Sequence, residues 1–384
     1  MASGRIKVAL VANTGWYLYN FRRTLMKVLK AKGHDVIAIS PRDDYTRRLV
    51  DEGISHHHIP LDGGSINPAK ELRSILALRR VLCNGGVDVV FSFTPKGNIY
   101  SGLALMGRKT QLVANVSGLG RAFVSRSFLT LLVRRLFYHT FGRAAWVFFQ
   151  NEDDRQIFIN AGMVEAKKSE RIPGSGVDLG HFSPSNDACT CEEAPTFLLI
   201  ARLLWDKGVG EFVDAARYIR KQHPKVRFQL LGFLDVSNPS AVPRRTVEGW
   251  VEKGIIEYLG TTDDVRPHVC AADCVVLPSF YREGVPRSLL EAAAMGKPII
   301  TTDSVGCRDA VDDGITGFLC LPRDVGDLSE KILLILKMSP EERNTMGLHG
   351  RGKMMREFDE KIIIERYLAI IDKPSPLEKI DVLA

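Results

Sequence analysis

The chain has 384 residues, of which 45% are hydrophobic and 25% are charged. This composition is typical of a globular protein and excludes a disordered or fibrous chain, and the length predicts two domains. No run of about 18 apolar residues is present, so the sequence predicts no transmembrane helix. The N-terminus leads into an apolar strand pattern without the architecture of a signal peptide. The seven cysteines are scattered, which favours reduced thiols in a cytosolic protein.

The net charge of +7 is unevenly distributed along the chain. Residues 1–185 hold 26 Lys and Arg against 14 Asp and Glu, whereas residues 186–384 hold 26 against 31. A basic surface favours nucleic acid, anionic lipid or a phosphorylated substrate as partner. Because the sequence has no RNA- or DNA-binding motif, it favours lipid or phosphate, and we expect no nucleic-acid partner.

The first half alternates apolar strand patterns with amphipathic helix patterns. Strands are predicted at residues 6–12, 35–39, 57–60, 88–93, 112–116 and 146–150, and helices at residues 21–32, 69–83 and 127–141. This alternation predicts an α/β domain with a parallel, doubly wound sheet. The glycine fingerprint G-x-G-x-x-G is absent, which counts against a bound dinucleotide and against a dehydrogenase.

Three polar segments follow predicted strands, at residues 13–20, 94–98 and 117–121. Ligands bind beyond the carboxyl ends of strands in such sheets, so we expect these segments to be loops that line a site. Gly15 in the first segment would let the backbone approach a phosphate or sugar. The histidines at 56–58 lie in a strand pattern that points neighbours to opposite faces, so we expect a structural role and no metal.

The predicted helix at residues 127–141 carries apolar residues at helical spacing, surrounded by arginines and a histidine. One interpretation is a helix packed on the sheet with its arginines in solvent. The other is a basic, aromatic face that lies on an anionic membrane. The sequence alone favours neither.

A turn-rich segment at residues 171–195 precedes a second series of elements. Strands are predicted at residues 196–201, 227–232, 256–259, 274–277 and 298–302, and helices at residues 211–222, 339–358 and 360–371. We therefore expect a first domain at residues 1–185, a second at residues 196–358, and a final helix and tail at residues 359–384. Residues 186–195 are the predicted linker.

Residues 278–298 hold the most informative pattern of the second half. Glu283 lies in a loop rich in proline and glycine, and Pro286 and Arg287 begin a helix that carries Glu291. The N–H groups and positive dipole end at the start of this helix favour an anion between the two carboxylates. The pattern predicts a nucleoside-diphosphate site whose sugar hydroxyls meet the carboxylates. The alternative is an ordinary helix with surface glutamates.

Two cations, Arg202 and Lys207, follow the strand predicted at residues 196–201. A diphosphate site without a metal needs cations to stabilise the leaving charge, and this pair suits that task. Alone they would be interpreted as surface charges, but together with the helix start above they favour a diphosphate site.

Taken together, these residues resemble the retaining glycosyltransferases of family 4, which have the GT-B architecture. The similarity is nearly complete over residues 171–321, through the motifs IPGSGVDLGHF, ARLLWDKG and PSFYREGVPRSLLEAAAMGKP in that order. In the first half, NTGWYLYNFR, TPKGN and SGLGRAF resemble more loosely a bacterial branch that adds N-acetylhexosamines to polyprenyl-diphosphate-linked glycans.

The resemblance implies an α/β GT-B fold, in which two Rossmann-like domains face a central cleft and the last helix crosses back to the first domain. It implies a UDP-sugar as donor substrate, a polyprenyl-diphosphate-linked saccharide as acceptor, and neither cofactor nor metal. Front-face attack would retain the anomeric configuration, and the leaving phosphate would take the acceptor's proton. The enzyme would be cytoplasmic and peripheral on the inner face of the cell membrane, in contact with anionic lipid.

The resemblance also implies individual roles in donor binding. Glu291 would hold the ribose and Glu283 the donor sugar, while Arg202 and Lys207 would hold the diphosphate. Glu283, Lys207 and Arg202 are thereby the predicted catalytic residues. Backbone and loop contacts are implied as well: Gly284 and Val285 at the diphosphate, Gly15 facing it from the first domain, and residues 260–264 near the base.

The first domain departs from the family at one position. Many relatives have a histidine after the strand that matches residues 112–116, where this chain has Ser117 and Gly118. Lys96, Ser117 and Arg121 are the candidates for a polar contact on the acceptor side. Two other enzymes remain open at this point, a transferase with a soluble acceptor and a GT-B sugar-nucleotide epimerase. A non-catalytic subunit that binds nucleotide sugars is disfavoured by the full set of donor residues.

Overall fold

The structure is a computed structural model that describes residues 4–118, 128–184, 195–282 and 284–372. These residues form two compact units. One unit is Gly176–Glu360, and the other comprises the described residues on either side of it. The last helix of the chain therefore belongs to the same unit as the N-terminal strands.

In the described residues, the first unit is built on a sheet of seven parallel strands in the order β3-β2-β1-β4-β5-β6-β7. The strands are β1 (Lys7–Val11), β2 (Asp35–Ser40), β3 (Ser55–His58), β4 (Val89–Phe93), β5 (Gln111–Val116), β6 (Trp146–Phe149) and β7 (Ser169–Arg171). The helices between them are α1 (Gly15–Ala31), α2 (Asp44–Asp51), α3 (Pro68–Asn84), α4 (Pro95–Ala104), α5 (Phe128–Phe141) and α6 (Glu152–Asn160).

The second unit has a sheet of six parallel strands within the described residues, in the order β10-β9-β8-β11-β12-β13. The strands are β8 (Thr196–Ile200), β9 (Arg227–Leu231), β10 (Glu257–Tyr258), β11 (Cys274–Leu277), β12 (Ile299–Thr302) and β13 (Gly317–Cys320). The helices are α7 (Val209–Arg220), α8 (Arg244–Glu252), α9 (Arg266–Ala271), α10 (Arg287–Ala294), α11 (Val325–Lys337) and α12 (Pro340–Lys353), and a π-helical turn follows at Met354–Phe358.

The last helix, α13 (Glu360–Ile371), helps to cover the first sheet. Alternate residues of β1 enter two apolar clusters, Ala9 with α3 to α6 and Val8 with α1, α2 and α13. Tyr367 of α13 is fully buried, and its hydroxyl accepts a hydrogen bond from Asn115 Nδ2 at 2.8 Å. Because both faces of the sheet are covered, its central strands β1 and β4 are largely apolar, whereas β3 at the edge is polar.

Each sheet changes winding direction between two neighbouring strands. In the first unit these are β1 and β4, and in the second they are β8 and β11. Ligands bind at such switch points in open α/β sheets, beyond the carboxyl ends of the strands. We call the segments after β1 and β4 the first switch edge, and those after β8 and β11 the second switch edge.

The prediction of two doubly wound α/β series is confirmed, but two predicted loops are wrong. Residues 15–20 are the first turns of α1, and residues 95–98 are the first turn of α4. Thr14 caps α1 by accepting a hydrogen bond from the Tyr17 N–H at 3.1 Å. Pro95 suits the first position of α4, where no backbone donor is needed. The glycine and proline that favoured loops stand at helix starts. The sequence patterns also leave several elements unpredicted, namely α2, α6, α8, α9, α11, β7 and β13.

Candidate functional site

The two segments of the second switch edge are in direct contact. The Asp206 carbonyl oxygen, in the segment after β8, accepts hydrogen bonds from the Phe280 N–H at 3.2 Å and from Ser279 Oγ at 3.3 Å. Gly208 has φ 74°, and a side chain there would collide with the Pro278 carbonyl. Only glycine tolerates this positive φ and also leaves room for the Pro278 carbonyl, so Gly208 lets the two segments pack closely. The structure thus brings together the two motifs that the sequence predicts to share a site.

The two predicted cations of this edge differ in environment. Lys207 ends a short 3-10 turn, Trp205–Lys207, and is only 8% exposed. Arg202 follows β8 and is exposed. A cation in a poorly hydrated position interacts more strongly with an anion than one in water. Lys207 is therefore the less hydrated of the two cations, and contact of either with a diphosphate stays a prediction.

Hydrogen bonds from the neighbouring strand anchor the segment after β11. The Ser279 carbonyl oxygen accepts from the hydroxyls of Thr302 and of Ser304, the latter at 3.0 Å. Thr301 Oγ1 donates to the Leu277 carbonyl oxygen at 2.7 Å. These contacts fix the backbone just before Arg282, and so preorganise the approach to α10.

Helix α10 begins where the sequence predicts it. Pro286 is the N-cap residue, and its side chain makes no capping hydrogen bond. Gly284 and Val285 precede it and are buried. An N-terminus of this kind attracts an anion through its N–H groups and dipole. Glu283 lies outside the described residues.

Glu291 of α10 is held by an arginine one turn earlier. Its Oε1 lies 2.8 Å from Arg287 Nε, and both side chains are about one-sixth exposed, at 15% and 16%. Burial raises the pKa of the Glu291 carboxyl, against the lowering effect of Arg287, and the carboxylate of Asp264 raises it further. Asp264 belongs to the predicted base-side loop, residues 260–264, so the charge of this loop acts on Glu291.

Asp264 itself is paired within its loop. Arg266 donates to Asp264 through Nε at 2.8 Å and Nη2 at 2.7 Å. This fork of hydrogen bonds lowers the pKa of the Asp264 carboxyl. The carboxylate therefore stays ionised and accepts hydrogen bonds at neutral pH.

Arg323 is a residue at this site that the sequence analysis missed. Its guanidinium lies 4.2 Å from the centroid of the Phe280 ring, and its backbone has φ 63°. The cation–π contact supports the segment that leads to α10. Its position shortly after β13, at a carboxyl end of the sheet, is the signal that sequence reasoning had available.

At the first switch edge, Gly15 is explained by packing rather than by the predicted contact with a phosphate or sugar. A side chain at Gly15 would collide with Asp43 and Thr46, so packing alone explains the glycine. The Asp43 carboxylate accepts from the Trp16 N–H at 2.9 Å, and from the Tyr45 and Thr46 N–H groups at 3.1 Å. One carboxylate thus serves the starts of both α1 and α2. A contact between Gly15 and a diphosphate stays a prediction.

Lys96, a predicted acceptor-side residue, is engaged inside the first unit. Its Nζ donates to the carbonyl oxygens of Asp62 and Ser65, and it pairs with the Glu71 carboxylate at 3.1 Å. The Tyr100 hydroxyl also donates to Glu71, and burial together with this carboxylate raises the pKa of Tyr100. Lys96 therefore holds the β3–α3 loop against α4.

The other predicted residues of the first unit are Ser117, Arg121 and the histidines at 56–58. Ser117 is half-buried after β5, and Arg121 lies outside the described residues. His56 Nε2 lies 3.0 Å from Ser40 Oγ, and burial lowers the pKa of this histidine. His58 Nδ1 accepts from the Arg42 N–H at 3.2 Å.

Helix α5 both packs on the sheet and presents an apolar outer face. Phe137 and Phe141 are buried in the first unit. On the opposite side Leu131, Leu132 and Tyr138 are 65%, 46% and 54% exposed. Arg134 and Arg135 are exposed beside them. None of the helices that the structure describes combines the length and hydrophobicity needed to span a bilayer.

Two family models match the chain. The model described as glycosyl transferases group 1 matches residues 194–338, and the glycosyl transferase 4-like domain matches residues 20–174.

Two relatives match over most of their length. The chain is 32% identical to N,N'-diacetylbacillosaminyl-diphospho-undecaprenol alpha-1,3-N-acetylgalactosaminyltransferase of Campylobacter jejuni, over 96% of this chain and 99% of that protein. It is 24% identical to UDP-Gal:alpha-D-GlcNAc-diphosphoundecaprenol alpha-1,3-galactosyltransferase of Escherichia coli, over 83% of each.

Solved structures share the fold at low sequence identity. Anabaena HepE in complex with UDP-glucose superposes with a TM-score of 0.78 at 17% identity, over 95% of this chain and 100% of that one. Sucrose-phosphate synthase from Thermosynechococcus elongatus gives a TM-score of 0.78 at 19% identity, over 95% and 98%. The chain belongs to the group 1 glycosyl transferases and is a glycosyltransferase with the GT-B fold.

Proposed function

We propose that this enzyme transfers an N-acetylhexosamine from a UDP-sugar to a saccharide carried on a polyprenyl diphosphate, with retention of configuration and without a metal ion. The observation that carries the proposal is the contact between the two segments of the second switch edge. It places Lys207 beside the segment that leads into α10, and the N-cap residue of that helix makes no capping hydrogen bond.

Donor binding follows from the charges of this edge. Arg202, Lys207 and the N–H groups before α10 hold the diphosphate. The Glu291 carboxylate accepts hydrogen bonds from the ribose hydroxyls, and Arg287 keeps it in position. Glu283 holds the donor sugar.

The chemistry needs charge stabilisation more than proton transfer by the protein. As the glycosidic bond to UDP breaks, negative charge develops on the diphosphate, and Lys207 and the helix end stabilise it. The acceptor hydroxyl attacks from the side that the diphosphate leaves, and its proton goes to the leaving phosphate. The cations fill the role that a divalent ion has in other transferases, so activity persists in EDTA.

The nature of the acceptor is supported by the relatives. Both curated relatives are named for acceptors on diphospho-undecaprenol, and the Campylobacter jejuni protein is similar over nearly the whole chain. Enzymes with such substrates work at a membrane surface. The outer face of α5, with Leu131, Leu132 and Tyr138 beside Arg134 and Arg135, suits contact with anionic lipid. We place the enzyme peripherally on the cytoplasmic side of the membrane.

An assay with separate donor and acceptor panels tests the proposal. UDP release is measured with UDP-sugars, each with and without a short polyprenyl-diphosphate saccharide, in buffer with EDTA. We expect release that depends on the lipid-linked acceptor, with a UDP-N-acetylhexosamine as the best donor. The anomeric configuration of the product is read by NMR.

Other outcomes separate the alternatives. Transfer to a free glycoside at the same rate would favour a soluble acceptor. Interconversion of UDP-sugars without acceptor would show an epimerase. No turnover with any combination would refute the proposal.

A further inference from the structure

The first switch edge contains a residue in a backbone conformation that its type rarely adopts. Thr94 directly follows β4 and has φ 66° and ψ 152°. Positive φ is unfavourable for a β-branched residue, and this region of backbone space belongs almost entirely to glycine. Such strain persists only where the surrounding structure enforces it, and it clusters at ligand-binding sites.

The hydroxyl of Thr94 is also unusual. The residue is 8% exposed, and its Oγ1 is buried without a hydrogen-bond partner among the residues that the structure describes. Thr94 is the N-cap residue of α4, where a threonine normally accepts from the first N–H groups, yet its side chain makes no such bond. A buried hydroxyl without a partner destabilises the ligand-free protein, and a bound ligand would offset that cost.

The Thr94 hydroxyl lies against the first turn of α4. A Cβ at Gly97 would stand 3.1 Å from Thr94 Oγ1 and 3.4 Å from the Val11 carbonyl oxygen at the end of β1. Glycine therefore keeps this turn close to both strands of the switch edge. The hydroxyl and the helix end meet where an α/β sheet of this topology binds ligands.

Neighbouring contacts hold the turn in place. Lys96, in the first turn of α4, is tied to Glu71 and to the loop before α3. Arg22 is 2% exposed, and its guanidinium lies 4.5 Å from the centroid of the Phe93 ring, directly before Thr94. These contacts hold the turn against its neighbours in the first unit.

The second unit has a counterpart of this arrangement. Helix α4 follows β4 as α10 follows β11, and each strand lies across the switch from the first strand of its sheet. A proline stands at the start of each helix, Pro95 as the first residue of α4 and Pro286 as the N-cap residue of α10, and neither N-cap side chain makes a capping hydrogen bond. The proposed function already assigns a diphosphate to α10.

We propose that the first turn of α4 and the Thr94 hydroxyl bind a diphosphate oxygen of a substrate. The hydroxyl donates its proton to that oxygen in a hydrogen bond, and the helix dipole stabilises the negative charge. The identity of the ligand rests on the proposed function, which supplies two diphosphates, one on the polyprenyl acceptor and one on the UDP donor.

Binding measurements on the full chain test this subsite without turnover. The probes are farnesyl diphosphate and UDP, titrated separately by calorimetry. Thr94→Val removes the hydroxyl at constant shape, Thr94→Ser keeps it, and Thr94→Gly removes both hydroxyl and strain. We expect Thr94→Val and Thr94→Gly to weaken at least one probe by about tenfold or more, and Thr94→Ser to bind like wild type. Thr94→Gly should also melt at a higher temperature than wild type, because its strain is relieved.

The outcomes separate the two sources of the diphosphate. Loss of farnesyl diphosphate binding alone assigns the subsite to the acceptor, and loss of UDP binding alone assigns it to the donor. Wild-type affinity for both probes in Thr94→Val overturns the subsite, as does a wild-type chain that binds neither. Absence of sugar transfer together with Thr94-dependent binding would refute the proposed function and leave the subsite standing.

Discussion

The two units share one topology, yet they use the charged residues at their switch edges differently. In the first unit, Lys96 is tied to Glu71 and to loop carbonyls, and Asp43 accepts from the starts of two helices. In the second unit, Lys207 lies in a segment that contacts the approach to α10, and that helix end has no described side-chain cap. The first arrangement uses charge to hold loops together, whereas the second lies in the segments to which the proposed function assigns the donor diphosphate.

This difference teaches that a lysine after a strand is ambiguous until its neighbours are known. Lys96 and Lys207 both follow a strand at a switch edge, and the sequence treats both as ligand contacts. The carboxylate of Glu71 lies beside Lys96 because α3 packs on α4, and this contact gives Lys96 a structural role.

Of the substitutions considered, a change at Lys207 should have the largest effect on activity. Lys207→Ala should lower kcat/KM about 100- to 1000-fold, because a cation that stabilises the leaving diphosphate is lost. Initial rates of UDP release measure the effect, and circular dichroism checks the fold. Lys253→Ala, an exposed lysine of the same unit, is the control. A wild-type rate in Lys207→Ala would contradict the assigned role.

The matching change in the first unit should affect stability instead. Lys96→Met should lower the free energy of unfolding by about 2 kcal/mol, because the partly buried Glu71 carboxylate loses its partner. Adding Glu71→Gln should recover part of the loss, since no unpaired charge then remains. Urea denaturation measures all three proteins, and full stability of Lys96→Met with weakened UDP binding would reverse our assignment of the two lysines.

The outer face of α5 provides a third contrast between the units. Arg134→Ala with Arg135→Ala should weaken binding to phosphatidylglycerol vesicles roughly tenfold or more, since each basic residue near an anionic surface contributes about 1 kcal/mol. Arg245→Ala with Lys253→Ala removes equal charge from exposed positions of the second unit and should have little effect. Vesicle sedimentation measures both. Equal losses would mean that net charge, not this face, governs membrane contact.

The smallest expected effect is a change in the pH dependence of stability when Glu291 is substituted. Burial raises the pKa of this carboxyl, so the folded state retains the proton to higher pH than the unfolded chain. The resulting stability is present below the unfolded pKa, about 4.3, and is lost as pH rises through the folded value. Glu291→Gln cannot ionise, so its stability relative to wild type should rise over that window and then level off. Urea denaturation at several pH values measures the difference, and a constant difference would contradict the raised pKa.

Much of the fold follows from local patterns, and the contacts between distant segments do not. Strand β1 is a continuous apolar run, and the start of α10 is marked by Pro286, so both are predictable. The starts of α1 and α4 are predicted as loops because Gly15 and Pro95 favour breaks. Thr14 as a capping residue and proline at a first helical position are the signals that favour helices there.

The candidate site also depends on contacts between distant segments, which local sequence patterns do not predict. The sequence places Arg202 and Lys207 after a strand and Glu291 on a helix, but their association depends on β8 and β11 being neighbours. The contact of Arg323 with Phe280 joins residues far apart in the chain, and the positive φ of Thr94 goes against its residue type. Tertiary structure decides both features, so no local pattern predicts them.

The central claim is that the donor binds to the second unit, and a structure of the protein with UDP tests it most directly. We predict the diphosphate at the start of α10, within hydrogen-bonding distance of the N–H groups of Gly284 or Val285, with Lys207 beside it and the ribose on Glu291. UDP bound to the first unit alone, with the start of α10 empty, would contradict the account.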